Sequence, residues 1–121
     1  MATVELTNQN FAESVSGDGI TIVDFWAEWC GPCRMFGPIF EEASEKHPDI
    51  SFGKVNTEEQ RALADQAGIS SIPTLMVFRE NVLLYNRPGA LPGQGLEELI
   101  AAVRDLDMVK VHEQIAAEAA E

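Results

Sequence analysis

The chain holds two cysteines, Cys30 and Cys33, with Gly31 and Pro32 between them. Pro32 suits the first turn of a helix, where the backbone N–H it lacks would have had no intrahelical partner. That placement makes Cys30 the cap residue and puts Cys33 in the first turn on the same face, close enough for the sulfurs to join with little backbone change. Cys30 then meets unpaired N–H groups and the positive end of the helix dipole. Both favour a negative sulfur and should bring its pKa below the free value of about 8.5. Such a thiolate attacks a disulfide in another protein and forms a mixed disulfide. Cys33, one turn away, attacks that intermediate at high effective concentration and releases the reduced client. Client reduction and oxidation of the pair are one event.

Asp24 is the one carboxylate in the run Ile20-Thr21-Ile22-Val23-Asp24-Phe25-Trp26. A carboxyl group there either points to solvent or is buried, and burial disfavours its charged form. A buried acid of raised pKa near the helix start can take the Cys33 proton during resolution and return one later. Lys54, one residue before the end of a neighbouring strand, can balance Asp24 when it ionises. The plainer reading of the two is an inert buried pair. For the cysteines, a zinc site would need two more ligands, and His47 and His112 are not at ligand spacing, so no metal is expected. A purely structural crosslink spanning two residues would constrain almost nothing. Both histidines read as ordinary surface residues.

These residues sit in a chain of 121 residues, 45% apolar, which is enough for one domain with one core. Two cysteines supply no crosslinked framework, so a disulfide-rich secreted scaffold is excluded. Twenty acidic against eight basic residues give a net charge of -12, which repels a phosphate backbone and makes nucleic acid an unsuitable partner. No apolar run reaches the roughly 20 residues of a membrane span, and the start, MATVELTNQN, has neither the basic region nor the apolar stretch of a signal peptide. The expected compartment is the cytosol.

Short apolar and β-branched segments mark strands at Thr3 to Leu6, Ile20 to Trp26, Ile50 to Val55, Thr74 to Phe78 and Val82 to Tyr85. The last two form an antiparallel hairpin with Asn81 in its turn. Phe11 and Val15 mark a short helix. Phe36, Ile39, Phe40 and Ala43 give the stripe of a longer one reaching Lys46, with a kink expected at Pro38. Thr57 reads as a helix cap, with Gly68 as the stop. A last helix begins near Gly93 and buries Leu96, Leu99, Ile100 and Val103. This order describes an α/β protein with a mixed sheet and helices on both faces. From Asp105 the pattern weakens into an acidic, alanine-rich tail, for which a frayed end is the default beside a helical extension with Val111 and Ile115 one turn apart or a partner-binding segment.

Val23-Asp24-Phe25-Trp26-Ala27-Glu28-Trp29-Cys30-Gly31-Pro32-Cys33 resembles the active-site segment of the thioredoxin family, residue for residue. Ser71-Ile72-Pro73-Thr74-Leu75 and Pro88-Gly89-Ala90-Leu91 follow at the right distance. The resemblance covers about residues 3–104, giving a domain over 1–104 and a tail over 105–121. It implies the thioredoxin fold, a central five-stranded sheet flanked by four helices, here with a C-terminal extension. It also implies roles: Cys30 as nucleophile, Cys33 as resolving thiol, Asp24 as buried proton carrier and Lys54 as its charge partner. Trp29 would be the hydrophobic shoulder, Pro73 a cis proline opposite the disulfide, and Ile72 the backbone offered to a client as an added strand. Gly31 and Pro32 complete the client-facing turn, and Gly89 keeps the far wall of the groove flat. Arg34 replaces the lysine often found after the second cysteine and keeps its charge.

The function so implied is reduction of protein disulfides by a monomer that binds no cofactor and contributes to cell redox homeostasis. Electrons would come from NADPH through a flavin-containing thioredoxin reductase. Peroxiredoxins, methionine sulfoxide reductases and ribonucleotide reductase would be clients. Two other readings are open to test: an oxidant or isomerase using the same chemistry in reverse, and a binding module whose cysteines are incidental.

Overall fold

In a computed structural model that describes residues 2–120, the β-branched run at 20–26 becomes the middle strand of a five-stranded sheet. The elements are β1 (Thr3–Glu5), α1 (Phe11–Val15), β2 (Ile20–Trp26), α2 (Gly31–Lys46), β3 (Ser51–Asn56), α3 (Arg61–Gln66), β4 (Thr74–Arg79), β5 (Val82–Pro88), α4 (Gly93–Asp105) and α5 (Met108–Ala119). Strand order is β1-β3-β2-β4-β5. β2 pairs parallel with β3 and antiparallel with β4, and β3 pairs parallel with β1. Helices cover both faces, so β2 carries apolar side chains on each, as a continuous apolar run requires.

Ile22, Phe52, Leu75 and Val77 pack from one face of the sheet with Phe36 and Phe40 of α2 and with Leu96, Ile100 and Val103 of α4. Phe40 meets Phe52 edge-on at 5.2 Å between ring centroids. The opposite face sets Val23, Phe25, Val55 and Met76 with Leu6, with Val15 of α1 and with Leu63 of α3. Burying each such side chain contributes on the order of 2 kcal/mol. Gly53 is what lets Leu6 lie flat on β3, since a Cβ there would run into the Leu6 side chain.

α2 continues across Pro38 to Lys46. The hairpin turn uses two left-handed residues, Glu80 at φ 52° and Asn81 at φ 63°, as a tight turn between twisted strands demands. β5 runs three residues beyond Tyr85, through the polar Asn86 and Arg87 to Pro88. It lies at the sheet edge, where a proline need not donate to a further strand.

Three expectations give way. Thr57 caps no helix: α3 starts at Arg61, and the Thr57 N–H and hydroxyl both donate to the Trp26 carbonyl, at 2.9 and 3.0 Å. His47 is half-buried at the end of α2, 2.7 Å from Glu97, with Arg104 donating to its Nδ1 at 3.1 Å. Arg104 also grips both carboxylate oxygens of Asp49, at 2.7 and 3.0 Å. Third, Met108–Ala119 of the tail form the helix α5. The Asp107 side chain accepts from the N–H groups of Val109 and Lys110, Met108 is buried, and His112 Nε2 lies 2.9 Å from Glu80. Arg79 fastens the link before it, donating to the carbonyls of Val103, Arg104 and Leu106.

Candidate active site

α2 begins at the end of the loop leaving β2, and its first turn carries the cysteines. Cys30 is the N-cap in an extended conformation, and Pro32 lies in the first turn. The Cys33 N–H donates to Cys30 Sγ at 3.2 Å, so the sulfur occupies the position of a capping oxygen. The two cysteines are joined as a disulfide with Cα atoms 5.2 Å apart. In this closed form both residues are only 4% exposed. They pack with Ala27, Trp26 and Ile72. Gly31 and Pro32 between them are exposed.

Cys30 Sγ also lies 3.8 Å from the Ile72 carbonyl oxygen. A disulfide sulfur has no proton, so this is a packing contact. It brings the 70–73 loop against the cysteine pair. The Ile72–Pro73 peptide is cis, and the Pro73 carbonyl accepts from the Gly89 N–H at 2.8 Å. Gly89 has φ 106°, a conformation that favours glycine. Trp29 is 66% exposed and, with Ile72, Ile69, Ala64 and Thr57, lines a shallow groove of about 330 Å³ with no charged side chain in its wall. The sequence reading gives no groove role to Ala64 or Ile69 and takes Thr57 for a helix cap. The tie of Thr57 to the Trp26 carbonyl is a long-range contact that no local pattern announces.

Asp24 lies on β2 between Lys54 of β3 and Leu75 of β4. It is 1% exposed, and neither carboxylate oxygen has a hydrogen-bond partner. Burial pushes its pKa up to about 7, with the Lys54 ammonium pulling the other way. Lys54 Nζ sits 4.8 Å from the centroid of the Trp26 ring, a cation over an aromatic face. Among the described residues it makes no ion pair within 4 Å. The pair inferred from sequence is therefore adjacent but not in contact.

The protein-family model described as Thioredoxin matches residues 2–102. The chain belongs to the thioredoxin family. A Streptomyces coelicolor protein named "Putative thioredoxin 2" is 51% identical over 120 residues, covering 99% of this chain and 90% of that one. The thioredoxin of Alicyclobacillus acidocaldarius is 43% identical over 103 residues, covering 84% of this chain and 98% of its own. Among solved structures, the Malassezia sympodialis thioredoxin Mala s 13 superposes with a TM-score of 0.75 at 32% identity, over 84% of this chain and 93% of that one. The sheet, the flanking helices and the joined cysteine pair make this family member a thiol–disulfide oxidoreductase with the thioredoxin fold. Among the described residues no group of three or more His, Cys, Asp or Glu could hold a metal ion, and no helix is long and apolar enough to cross a membrane.

Proposed function

We propose that the chain reduces disulfide bonds of other proteins through Cys30 and Cys33, within a functional unit of residues 1–104 to which 105–121 is appended. The observation that carries this reading is the cysteine pair at the N-terminus of α2, with the Cys33 N–H aimed at Cys30 Sγ. In the open pair, that N–H and the helix dipole favour a negative Cys30 sulfur. The thiolate attacks one sulfur of the client disulfide, and the other leaves as a thiolate that takes up a proton. Asp24, ionised, accepts the Cys33 proton. Cys33 then attacks Cys30 Sγ and expels the client's first sulfur. Two electrons pass to the client, and the Cys30–Cys33 bond forms. A pKa near 7 suits Asp24 to both directions of this transfer.

Trp29 and Ile72 supply the apolar groove for an extended client segment. The Ile72 backbone pairs with it as an added strand, Gly31 and Pro32 face it, and Pro73 and Gly89 shape the opposite wall. Lys54 serves as the charge partner of Asp24. Re-reduction comes from a flavin-containing, NADPH-dependent thioredoxin reductase, with no cofactor held by the chain itself. Peroxiredoxins, methionine sulfoxide reductases and ribonucleotide reductase are the client classes. The setting is cell redox homeostasis in the cytoplasm, performed by a monomer.

Insulin reduction driven by dithiothreitol tests the reading. The parent protein is expected to accelerate precipitation of the insulin B chain, and Cys30→Ser to fall to the rate of dithiothreitol alone. Equal rates for the two would leave a binding module instead.

A further inference from the structure

Glu5, Lys54 and Asp24 form one row across three neighbouring strands. Glu5 on β1 is the register partner of Lys54 on β3, and Lys54 is the partner of Asp24 on β2. Register partners in a sheet project to the same face, so the three side chains share the face that α2 covers. The row runs from an exposed carboxylate at the sheet edge to one that is 1% exposed at its centre.

A cleft of about 300 Å³ opens at the outer end of this row, lined by Thr3, Glu5, Trp26, Lys54, Asn56 and Glu59. Lys54 is the one basic residue in that lining. Glu59 is held at the cleft by its backbone, whose N–H donates to the Asn56 side chain. From α2, Glu41 reaches the same edge: its Oε1 accepts from the Thr3 hydroxyl, and its Oε2 is buried without a partner. From β4, the partner of Asp24 is the uncharged Leu75. One half-buried ammonium thus stands among Glu5, Glu41 and Glu59 on the outside and Asp24 on the inside, bonded to none of them and resting on Trp26.

An ammonium in that position can lean inward, which stabilises ionised Asp24, or outward. We propose that Glu5 and Glu59 are positioning residues for the exchange reaction, drawing Lys54 toward the cleft mouth and so governing how readily Asp24 takes and releases its proton. The proton that Asp24 accepts from Cys33 leaves as Asp24 ionises. It passes to water entering the cleft as the ammonium turns inward to meet the new carboxylate. No bond other than O–H is made or broken in this step. The inference rests on the proton-carrier role proposed above for Asp24.

The test is a carboxyl NMR titration of the full-length, disulfide-closed protein with 13C-labelled aspartate, comparing the parent with Glu5→Gln, Glu59→Gln and the double variant. The Asp24 midpoint is expected to fall by about half a pH unit in the double variant. In a Lys54→Met background the same substitutions are expected to move it by less than half as much, because the screened field of exposed carboxylates alone is weak. A midpoint unmoved by the double variant would overturn the proposal, as would an equal shift with and without Lys54. Insulin reduction is read separately. If the midpoint shifts as expected while Asp24→Asn reduces insulin at the parent rate, the positioning holds and the catalytic role of Asp24 fails.

Discussion

Asp24 keeps its proton to about pH 7 in the folded chain, whereas the usual value is 3.8. Between those limits the native state binds a proton that the unfolded state releases, so stability falls as pH rises. The contribution is full below about pH 4 and lost above about pH 7. A shift of about three units corresponds to about 4 kcal/mol. Asp24→Asn is therefore expected to raise stability by up to about 4 kcal/mol at pH 8 and to add nothing at pH 4. Urea unfolding of the disulfide-closed protein at the two pH values measures this, and a gain equal at both would show that charge burial is not its source. The same variant should slow resolution of the mixed disulfide more than its formation, read by stopped flow with each step followed separately. This residue was legible in the sequence because a lone carboxylate in an apolar strand has few fates. The gap between Asp24 and Lys54 was not legible, since the Trp26 ring that holds the ammonium is placed only by the sheet.

At the scale of elements, β3 shows how a small residue sets a packing distance. Gly53 leaves room for Leu6 to cross the strand, and a methyl group there would collide with that side chain. Gly53→Ala is expected to cost about 1 to 3 kcal/mol, since overpacking forces side chains off their rotamers. Thermal unfolding of the closed form reads the loss, and the double variant with Leu6→Ala is expected to lose less than the sum of the two single losses, because the collision is gone. At the far end of the sheet, Arg104 links α4 to the segment between α2 and β3. Its hydrogen bonds hold the Asp49 carboxyl down to about 2. In Arg104→Gln the Asp49 carboxyl should titrate back near its ordinary value, measurable by the same carboxyl NMR. Periodicity found α2 and α4 because each buries a regular stripe, and a β-branched and aromatic run found β2 because both its faces are covered. Thr57 and the start of α3 were misplaced because a threonine before two glutamates satisfies the local capping pattern, while the carbonyl it serves lies 31 residues away in sequence.

For the whole molecule, the open question in the sequence was residues 105–121. Composition there, rich in alanine and glutamate, fits a frayed end as well as a helix. The structure settles it through Arg79, Met108 and the contact of His112 with Glu80. Each of these anchors meets the chain far from the tail in sequence. Truncation after Asp105 is expected to lower stability by about 1 to 3 kcal/mol, the scale of one buried methionine and its hydrogen bonds. Insulin reduction should persist, because α5 contributes no residue to the groove or the cysteine pair. Loss of reduction in a truncated chain that still unfolds cooperatively would place α5 in the functional unit.

Residue type and spacing alone announce the cysteine pair, the helix that starts at it, the buried acid and the strand on which it lies. All of these depend on neighbours a few residues apart, where spacing and residue type act directly. The closure of the 70–73 loop over Cys30, the tie of Gly89 to Pro73, the perch of Lys54 on Trp26 and the docking of the last helix follow from the assembled fold. Those contacts join positions tens of residues apart. They come into being only when burial of the two apolar faces of the sheet brings the strands and helices together.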